Sequence, residues 1–274
     1  MSFRIGVDLG GTKIELIALD ASGRERHRVR VPTPQGDYDA TLAAVVSLVE
    51  KAEQTLNAKA SVGVGMPGAL SRLTGLVKNA NSTCLIGHDL KGDLEKSLGR
   101  EVRIANDANC FALSEAVDGA GKGAKVVFGV ILGTGVGGGI VVDGEVQTGP
   151  NAIAGEWGHN PLPLPREADL PLRECYCGRR GCIETYLSGP ALQKDPDKER
   201  YAERLARSLA GVINILDPDV IVLGGGISTV QSLYSRVPEF WRPYIFSDQV
   251  ATRLVPPVHG DSSGVRGAAW LWND

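Results

Sequence analysis

Two stretches of this chain share one pattern, and that pattern constrains the fold more than any other feature. They are IGVDLGGTKIELIALDASG from Ile5 and FGVILGTGVGGGIVVDG from Phe128. Each reads as an apolar strand, a glycine-rich turn, a second apolar strand and an Asp/Gly turn. The repeat predicts a duplicated architecture, with one lobe at 1–118 and a second at 119–274, divided at DGAGKGA. A cleft between two such lobes is a favoured position for a ligand.

Strands and helices alternate along the rest of the chain. The predicted helices are 37–57, 106–117 and 201–216, where apolar side chains fall at helical spacing, and further strands begin at Ser61, Glu101 and Asp219. Such alternation is typical of the α/β class.

The bulk composition limits the classes of partner and compartment. A chain of 274 residues can bury a core without disulfide staples. Its net charge of −3 provides no broad positive field, so neither nucleic acid nor an anionic membrane surface is the expected partner. The N-terminus lacks the apolar core of a signal peptide, and no run reaches the ~18 apolar residues of a membrane span. We therefore expect a cytoplasmic protein with reduced cysteines.

The glycine turns come close to two nucleotide-binding motifs without matching either. In GVDLGGTK, Thr12 precedes Lys13, whereas a P-loop has Lys followed by Ser or Thr, and strand-like residues follow. GTGVGG from Gly133 has dinucleotide-binding spacing, but a second strand follows it instead of a helix. A tight hairpin explains any single turn equally well. Three such turns, counting the one after VIVL, favour backbone N–H groups that face phosphate oxygens.

Asp8 is the one acidic residue in the first apolar strand, and its counterpart in the repeat is Ile131. An unpaired charge in an apolar strand is costly. A carboxylate in only one half favours a single magnesium ion beside the phosphates, and the alternative is a turn-forming residue at a strand end.

Four potential metal ligands are close together in the second half: His159, Cys175, Cys177 and Cys182. Three thiolates and one imidazole suit a closed, tetrahedral, structural zinc site, although buried free thiols remain an alternative. A metal held there would also fix Glu156 and Glu184, which lie three and two residues from a ligand. The other two cysteines, Cys84 and Cys110, are expected to be small buried side chains.

With these residues in view, the chain resembles the ROK family of sugar kinases, which belongs to the hexokinase and actin fold group. The matching motifs are GVDLGGTK, LGTGVGGG, VIVLGGGIS and GEWGHNPLP followed by CYCGRRGCIETYLSG. The resemblance extends over nearly the whole chain. KNANST, ANDANCFALSEAVDGA, GEWGHNPLPLP and HGDSSGVRGAAWLW resemble bacterial fructokinases of the manno(fructo)kinase type.

The resemblance implies a duplicated actin-like (ribonuclease H-like) ATPase fold, with two lobes around a central cleft. It implies that Asp107 is the catalytic base that accepts the proton of a hexose 6-hydroxyl, most simply that of fructose. The implied sugar ligands are Gly68, Asn81, Asn106, Glu156, His159 and Glu184. From the residues alone, Asp107 could equally be a helix N-cap, Asn81 a turn former and Glu184 a surface residue.

The same resemblance assigns the nucleotide and metal ligands. Asp8 would hold Mg²⁺, through water, since magnesium keeps most of its hydration shell. The implied triphosphate ligands are Gly10, Gly11, Thr12, Lys13, Gly133, Thr134, Gly135 and Gly137, and Gly225 and Gly226 would lie beside the nucleoside. The expected cofactors are ATP, Mg²⁺ and a structural zinc ion held by His159, Cys175, Cys177 and Cys182. The expected assembly is a homodimer.

The sequence leaves alternative functions to be weighed, and it departs from the family pattern in one segment. Glucokinase, N-acetylglucosamine kinase and mannose kinase differ from fructokinase by only one or two hydrogen bonds to the sugar. A sugar-responsive repressor would carry a helix-turn-helix before the first glycine turn, and a silent sugar-binding protein would be expected to have lost Asp8 or Asp107.

Only PALQKDPDKER separates TYLSG from the helix at 201–216, where ROK members usually have several more helical turns.

Overall fold

The computed structural model describes residues 2–80, 82–260 and 263–272. Its strands are β1 (Phe3–Leu9), β2 (Lys13–Leu19), β3 (Glu25–Pro32), β4 (Ala60–Met66), β5 (Ala69–Leu70), β6 (Val77–Lys78), β7 (Val102–Asn106), β8 (Val126–Leu132), β9 (Val136–Val142), β10 (Glu145–Val146), β11 (Val220–Gly224) and β12 (Arg253–Val255). Its α-helices are α1 (Tyr38–Leu56), α2 (Leu90–Leu98), α3 (Asp107–Val117), α4 (Glu184–Leu187), α5 (Gly189–Lys194), α6 (Lys198–Leu216), α7 (Leu233–Trp241) and α8 (Ser263–Trp270).

The two large sheets have the same plan. The first has the strand order β3-β2-β1-β4-β7, with β1, β2 and β3 antiparallel and β1, β4 and β7 parallel. The second has the order β10-β9-β8-β11-β12 with the same alternation of directions. The repeat of one topology confirms the predicted duplicated actin-like fold. Both predicted hairpins are present, as β1–β2 and β8–β9.

The helices that cover the two sheets are exchanged between the halves of the chain. Helix α8, from the end of the chain, packs on β1 and β4, whereas α3 packs on β8 and β9. The two helices also cross each other closely at Gly267. A Cβ atom on this residue would lie 1.6 Å from the carbonyl oxygen of Cys110, so only a glycine fits there. The division of the chain at residue 118 stays a prediction, and one helix beyond it covers the first sheet.

Three buried clusters follow from this arrangement. The first lies between the first sheet and α1, and the second surrounds α6, α7 and the second sheet. The third lies between the two sheets and includes Ile17, Phe111, Val127, Val222 and Val265. The central cluster therefore takes side chains from both sheets and from both exchanged helices.

The local sequence explains where the main helices begin and end. Asp37 caps α1 by accepting a hydrogen bond from the Ala40 N–H at 2.9 Å, and Asn57 ends it in the left-handed conformation. Helix α6 begins at Lys198, three residues before the predicted start, because Asp197 caps it. None of the helices in the described ranges is long and apolar enough to cross a bilayer.

The shortened segment after α4 folds as the six-residue helix α5 and leads to a buried ion cluster. Arg204 and Arg207 of α6 are only 1% and 2% exposed. Both contact Asp169, with N–O distances of 2.7 and 2.9 Å, and Asp195 from the shortened segment lies 2.7 Å from Arg204 Nη1. The apolar pattern predicted helix α6 but not this ion cluster (Asp169, Asp195, Arg204 and Arg207).

Candidate active site

The first glycine turn, Gly10 to Thr12, connects β1 to β2. The Gly10 N–H donates to the Lys13 carbonyl at 3.0 Å, and the Gly10 carbonyl accepts a hydrogen bond from the Thr33 hydroxyl at 2.7 Å. Gly11 and Thr12 are exposed. Strand β2 follows the turn directly, as the sequence predicted, so the turn is not a P-loop.

The second and third glycine turns are adjacent in the second lobe. Gly133 to Gly135 connects β8 to β9, and the Val136 N–H just after the turn donates to Glu184 Oε2 at 2.9 Å. Gly225 follows β11 with φ of 77°, and a Cβ atom there would lie 2.4 Å from the Leu132 carbonyl oxygen. Only glycine tolerates this close approach in that conformation.

The remaining predicted nucleotide ligands have other surroundings. Gly137 lies within β9, where its carbonyl accepts a hydrogen bond from the Trp157 indole at 2.9 Å, so it is not part of the turn itself. Gly226 is exposed and begins a short 3₁₀ helix. The phosphate and nucleoside roles of these glycines stay predictions.

Two carboxylates lie near each other between the lobes, Asp8 half-buried and Asp107 exposed at the cleft. Asp8 is the penultimate residue of β1, and desolvation by the surrounding protein, together with the charges of Asp107 and Glu15, raises its pKa to about 6. Asp107 is the first residue of α3, and desolvation by the walls of the cleft raises its pKa, with a further contribution from the charge of Glu156. Asp107 is therefore within electrostatic reach of a carboxylate in each lobe.

Asn106 takes the capping role that the sequence left open for Asp107. Its side-chain oxygen accepts a hydrogen bond from the Ala108 N–H at 2.9 Å, and its amide nitrogen donates to the Gly68 carbonyl at 2.9 Å. Gly68 has φ of 82°, and a Cβ atom there would lie 2.4 Å from the Lys78 carbonyl oxygen. These contacts fix the start of α3, and with it Asp107. Asn81, the other predicted sugar ligand in this region, lies outside the described residues.

A cavity of about 410 Å³ lies between the lobes beside these groups. Its wall includes Met66, Ile104 and Asn106 from the first half of the chain and Thr148, Ala154 and Glu156 from the second. Asn106 and Glu156 are thus brought together, as predicted for sugar ligands. In the described part of the chain, Gly68, Asp107, His159 and Glu184 are not part of this wall.

Sequence reasoning missed four polar residues of the cavity wall, Ser71, Arg72, Asn109 and Thr148. Arg72 Nη2 donates to Thr148 Oγ1 at 2.7 Å and so joins the two lobes. Asn109 is only 8% exposed. Asn109 follows Asn106 by three residues, and this spacing at the start of a helix predicts a shared face that could have identified Asn109. No motif surrounds Arg72 or Thr148.

The four predicted metal ligands converge, and their ligand atoms all lie within 4.8 Å of one another. His159 Nδ1 is 3.6 Å from Cys175 Sγ, and the Cys177 and Cys182 sulfurs are also 3.6 Å apart. A tetrahedral zinc centre with Zn–S of ~2.3 Å and Zn–N of ~2.0 Å has ligand–ligand edges of about 3.5–3.8 Å. All five cysteines are free thiols, so this group fits zinc and contains no disulfide.

The thiols of the cluster differ, since burial raises the pKa of Cys182 to about 12 in the absence of an ion. Hydrogen bonding from Arg179 lowers the pKa of the Cys177 thiol to about 6, which favours the thiolate that binds metal ions. The two glutamates lie just outside the segment that carries the four ligands, each within three residues of one of them. Glu156 faces the cavity, whereas Glu184, at the start of α4, contacts the second glycine turn.

Comparison with known proteins assigns the chain to a family. The model of the ROK family matches residues 4–200 and 196–274. The chain belongs to the ROK family. The two matches meet in the shortened segment before α6, where the sequence predicted a departure from the ROK pattern.

Curated and solved ROK proteins resemble the chain over nearly its whole length. An N-acetyl-D-glucosamine kinase from Salmonella newport is 41% identical, with 97% of this chain and 98% of the relative covered. A ROK hexokinase from Thermus thermophilus is 29% identical with a TM-score of 0.86, covering 97% and 96% of the two chains. A ROK glucokinase from Streptomyces griseus, solved with glucose and AMPPNP, is 26% identical with a TM-score of 0.78, covering 98% of each.

Proposed function

We propose that this protein is an ATP-dependent sugar kinase that phosphorylates the primary hydroxyl of a hexose or hexosamine. One observation carries the proposal: a carboxylate at the cleft, Asp107, lies within electrostatic reach of Asp8 at the first glycine turn and of Glu156 in the cavity wall. Phosphoryl transfer needs a proton acceptor between a phosphate site and an acceptor site. The kinase relatives support the same reaction class.

Asp107 would accept the proton of the sugar hydroxyl as the phosphoryl group is transferred. Desolvation by the surrounding protein raises the pKa of Asp107, which makes the carboxylate a stronger base than an aspartate with the ordinary pKa. Asn106, bonded to Gly68 and to the Ala108 N–H, would keep the first turn of α3 in place during the reaction.

The three glycine turns would receive the nucleotide. The first turn, with Thr12 and Lys13, and the second, with Thr134, would lie against the triphosphate, and Gly225 and Gly226 against the nucleoside. Asp8 would hold Mg²⁺ through water, and this ion supplies charge neutralisation on the phosphates when it is bound. The four ligands of the cysteine cluster would hold a structural zinc ion, which fixes the loops that carry Glu156 and Glu184.

N-acetylglucosamine is the first candidate substrate. The Salmonella relative at 41% identity is an N-acetyl-D-glucosamine kinase, and the small apolar side chains Ala69, Ala152 and Ala154 in the cavity wall suit an acetyl methyl group. Fructose is the second candidate, because KNANST and HGDSSGVRGAAWLW resemble fructokinases. The predicted homodimer and cytoplasmic location accompany this function as further proposals.

The deciding experiment measures ADP release from Mg·ATP with N-acetylglucosamine, fructose, mannose and glucose, on folded protein with one zinc ion per chain. We expect turnover with at least one of these sugars, and the ratio of kcat/KM values identifies the preferred one. A folded, zinc-loaded protein that releases no ADP with any of them would overturn the kinase assignment. Sugar binding without turnover would favour the silent sugar-binding alternative.

A further inference from the structure

The second ring nitrogen of His159 has a partner within the cysteine cluster. His159 Nε2 lies 3.0 Å from the hydroxyl of Tyr176, and the two rings meet edge to face, with centroids 5.2 Å apart and an interplanar angle of 85°. Tyr176 sits between two of the predicted metal ligands, Cys175 and Cys177. Its contact with His159 therefore lies within the cysteine cluster.

Metal binding would fix the direction of this hydrogen bond. His159 Nδ1 is the nitrogen that faces the thiols, 3.6 Å from Cys175 Sγ. A histidine that binds a metal through Nδ1 is neutral and carries its proton on Nε2, so Nε2 becomes a donor. The Tyr176 hydroxyl then accepts the one hydrogen bond that the ring can still donate.

The Tyr176 side chain is largely open to solvent. The residue as a whole is 80% exposed. With its backbone held between two metal ligands, the side chain can rotate into solvent without moving the loop.

We propose that the Tyr176 hydroxyl occupies His159 Nε2 in the sugar-free protein and that a sugar hydroxyl displaces it on binding. Tyr176 then competes with the sugar for His159, because every sugar must replace the hydrogen bond that the tyrosine loses. A sugar that places a hydroxyl well against His159 recovers this bond, and one that does not binds more weakly. The inference rests on the proposed function, since it requires a sugar beside Glu156 and His159.

Removal of the competing hydroxyl should strengthen sugar binding. In Tyr176→Phe the ring remains but Nε2 has no protein acceptor, so the sugar no longer displaces a hydrogen bond. Since a single hydrogen bond contributes modestly to stability, we expect the sugar Kd to fall about 2- to 13-fold.

The test is calorimetric titration of zinc-loaded protein, without ATP, with the sugar that the wild-type chain prefers. Zinc content is measured on every sample, and Tyr244→Phe, which removes a hydroxyl bonded to Glu203 on the second lobe, is the matched control with an unchanged Kd. An unchanged or weaker Kd in Tyr176→Phe, with zinc retained, would overturn the inference alone. If the wild-type chain binds none of the sugars, the proposed function fails, and the inference falls with it.

Discussion

The two sheets share a topology, but the same strand position meets its covering helix at a different distance in each sheet. Gly6 and Gly129 occupy the same position, the fourth residue, in β1 and β8. A Cβ atom on Gly6 would lie 2.0 Å from the backbone oxygen of Val265 in α8, whereas one on Gly129 would lie 2.7 Å from the Ala112 side chain in α3. At this position the first sheet approaches a backbone oxygen of its helix, and the second approaches Cβ and Cα of Ala112 at a larger distance.

The chemistry is divided between the sheets even more unequally than the packing. Asp8 is the penultimate residue of β1 and Ile131 that of β8, and the cysteine cluster and Glu156 occur only in the second half. Asp107 follows a strand of the first sheet but begins a helix that packs on the second. Duplication therefore explains the frame and the glycine turns, whereas the proposed base belongs to both halves.

The largest effect should come from the residue shared by both lobes. Asp107→Asn removes the proton acceptor, and we expect kcat to fall by about 10²–10⁴-fold while sugar affinity is largely kept. Steady-state ADP release and calorimetry measure the two quantities. Asp143→Asn, in an exposed turn of the second lobe, is the control with normal turnover. Substantial turnover in Asp107→Asn would show that another group is the base.

The unequal packing of the two sheets can be tested with one methyl group in each. Gly6→Ala should destabilise the protein by more than about 3 kcal/mol, because backbone of α8 must move, whereas Gly129→Ala should cost about 1–3 kcal/mol. Chemical denaturation of both variants gives the difference. Equal losses of stability would mean that α8 yields as readily as α3.

The unmatched carboxylate Asp8 should reduce the stability of the protein without nucleotide or magnesium. Because its folded pKa of about 6 exceeds the ordinary 3.8, its contribution to stability falls as the pH rises from about 4 to 6. Above pH 6, Asp8→Asn should therefore be more stable than the wild type by roughly 2–3 kcal/mol. Below about pH 4 the difference should vanish.

Urea denaturation of Asp8→Asn and the wild type at several pH values tests this prediction. Asp20→Asn is an informative control, since hydrogen bonds from Ser22, Arg24 and Arg26 lower the pKa of Asp20. That variant should lose stability at neutral pH, where the Asp8 variant gains it. A pH-independent difference for Asp8→Asn would contradict the raised pKa.

Substitution of a cysteine in each lobe should give the smallest of these differences, measured as sugar affinity. Cys182→Ser removes a zinc ligand, and we expect loss of bound zinc with a sugar affinity about 10-fold weaker, because the loops that carry Glu156 and Glu184 lose their anchor. Cys84→Ser, in the first lobe, should retain both zinc and affinity. Metal analysis and sugar titration check these outcomes, and full zinc content in Cys182→Ser would exclude that ligand.

Local patterns predicted the parts of the structure that local physics decides. Apolar runs on either side of glycine-rich turns identified both hairpins, helical periodicity identified the helices α1, α3 and α6, and residue spacing identified the cysteine cluster. Local patterns could not predict contacts between residues that are distant in the sequence. Arg204 and Arg207 are buried only because Asp169 lies opposite them, and the position of α8 on the first sheet depends on glycines far along the chain. Arg72 and Thr148 meet only across the cavity.

The exchange of helices also dictates an order of events during biosynthesis. The face of the first sheet that carries Gly6 and Gly63 is covered by α8, although its strands are translated first. A nascent N-terminal half therefore leaves the ribosome with that apolar face open, and it can be sealed only after residues 263–270 emerge. The lobe synthesised first is consequently completed last.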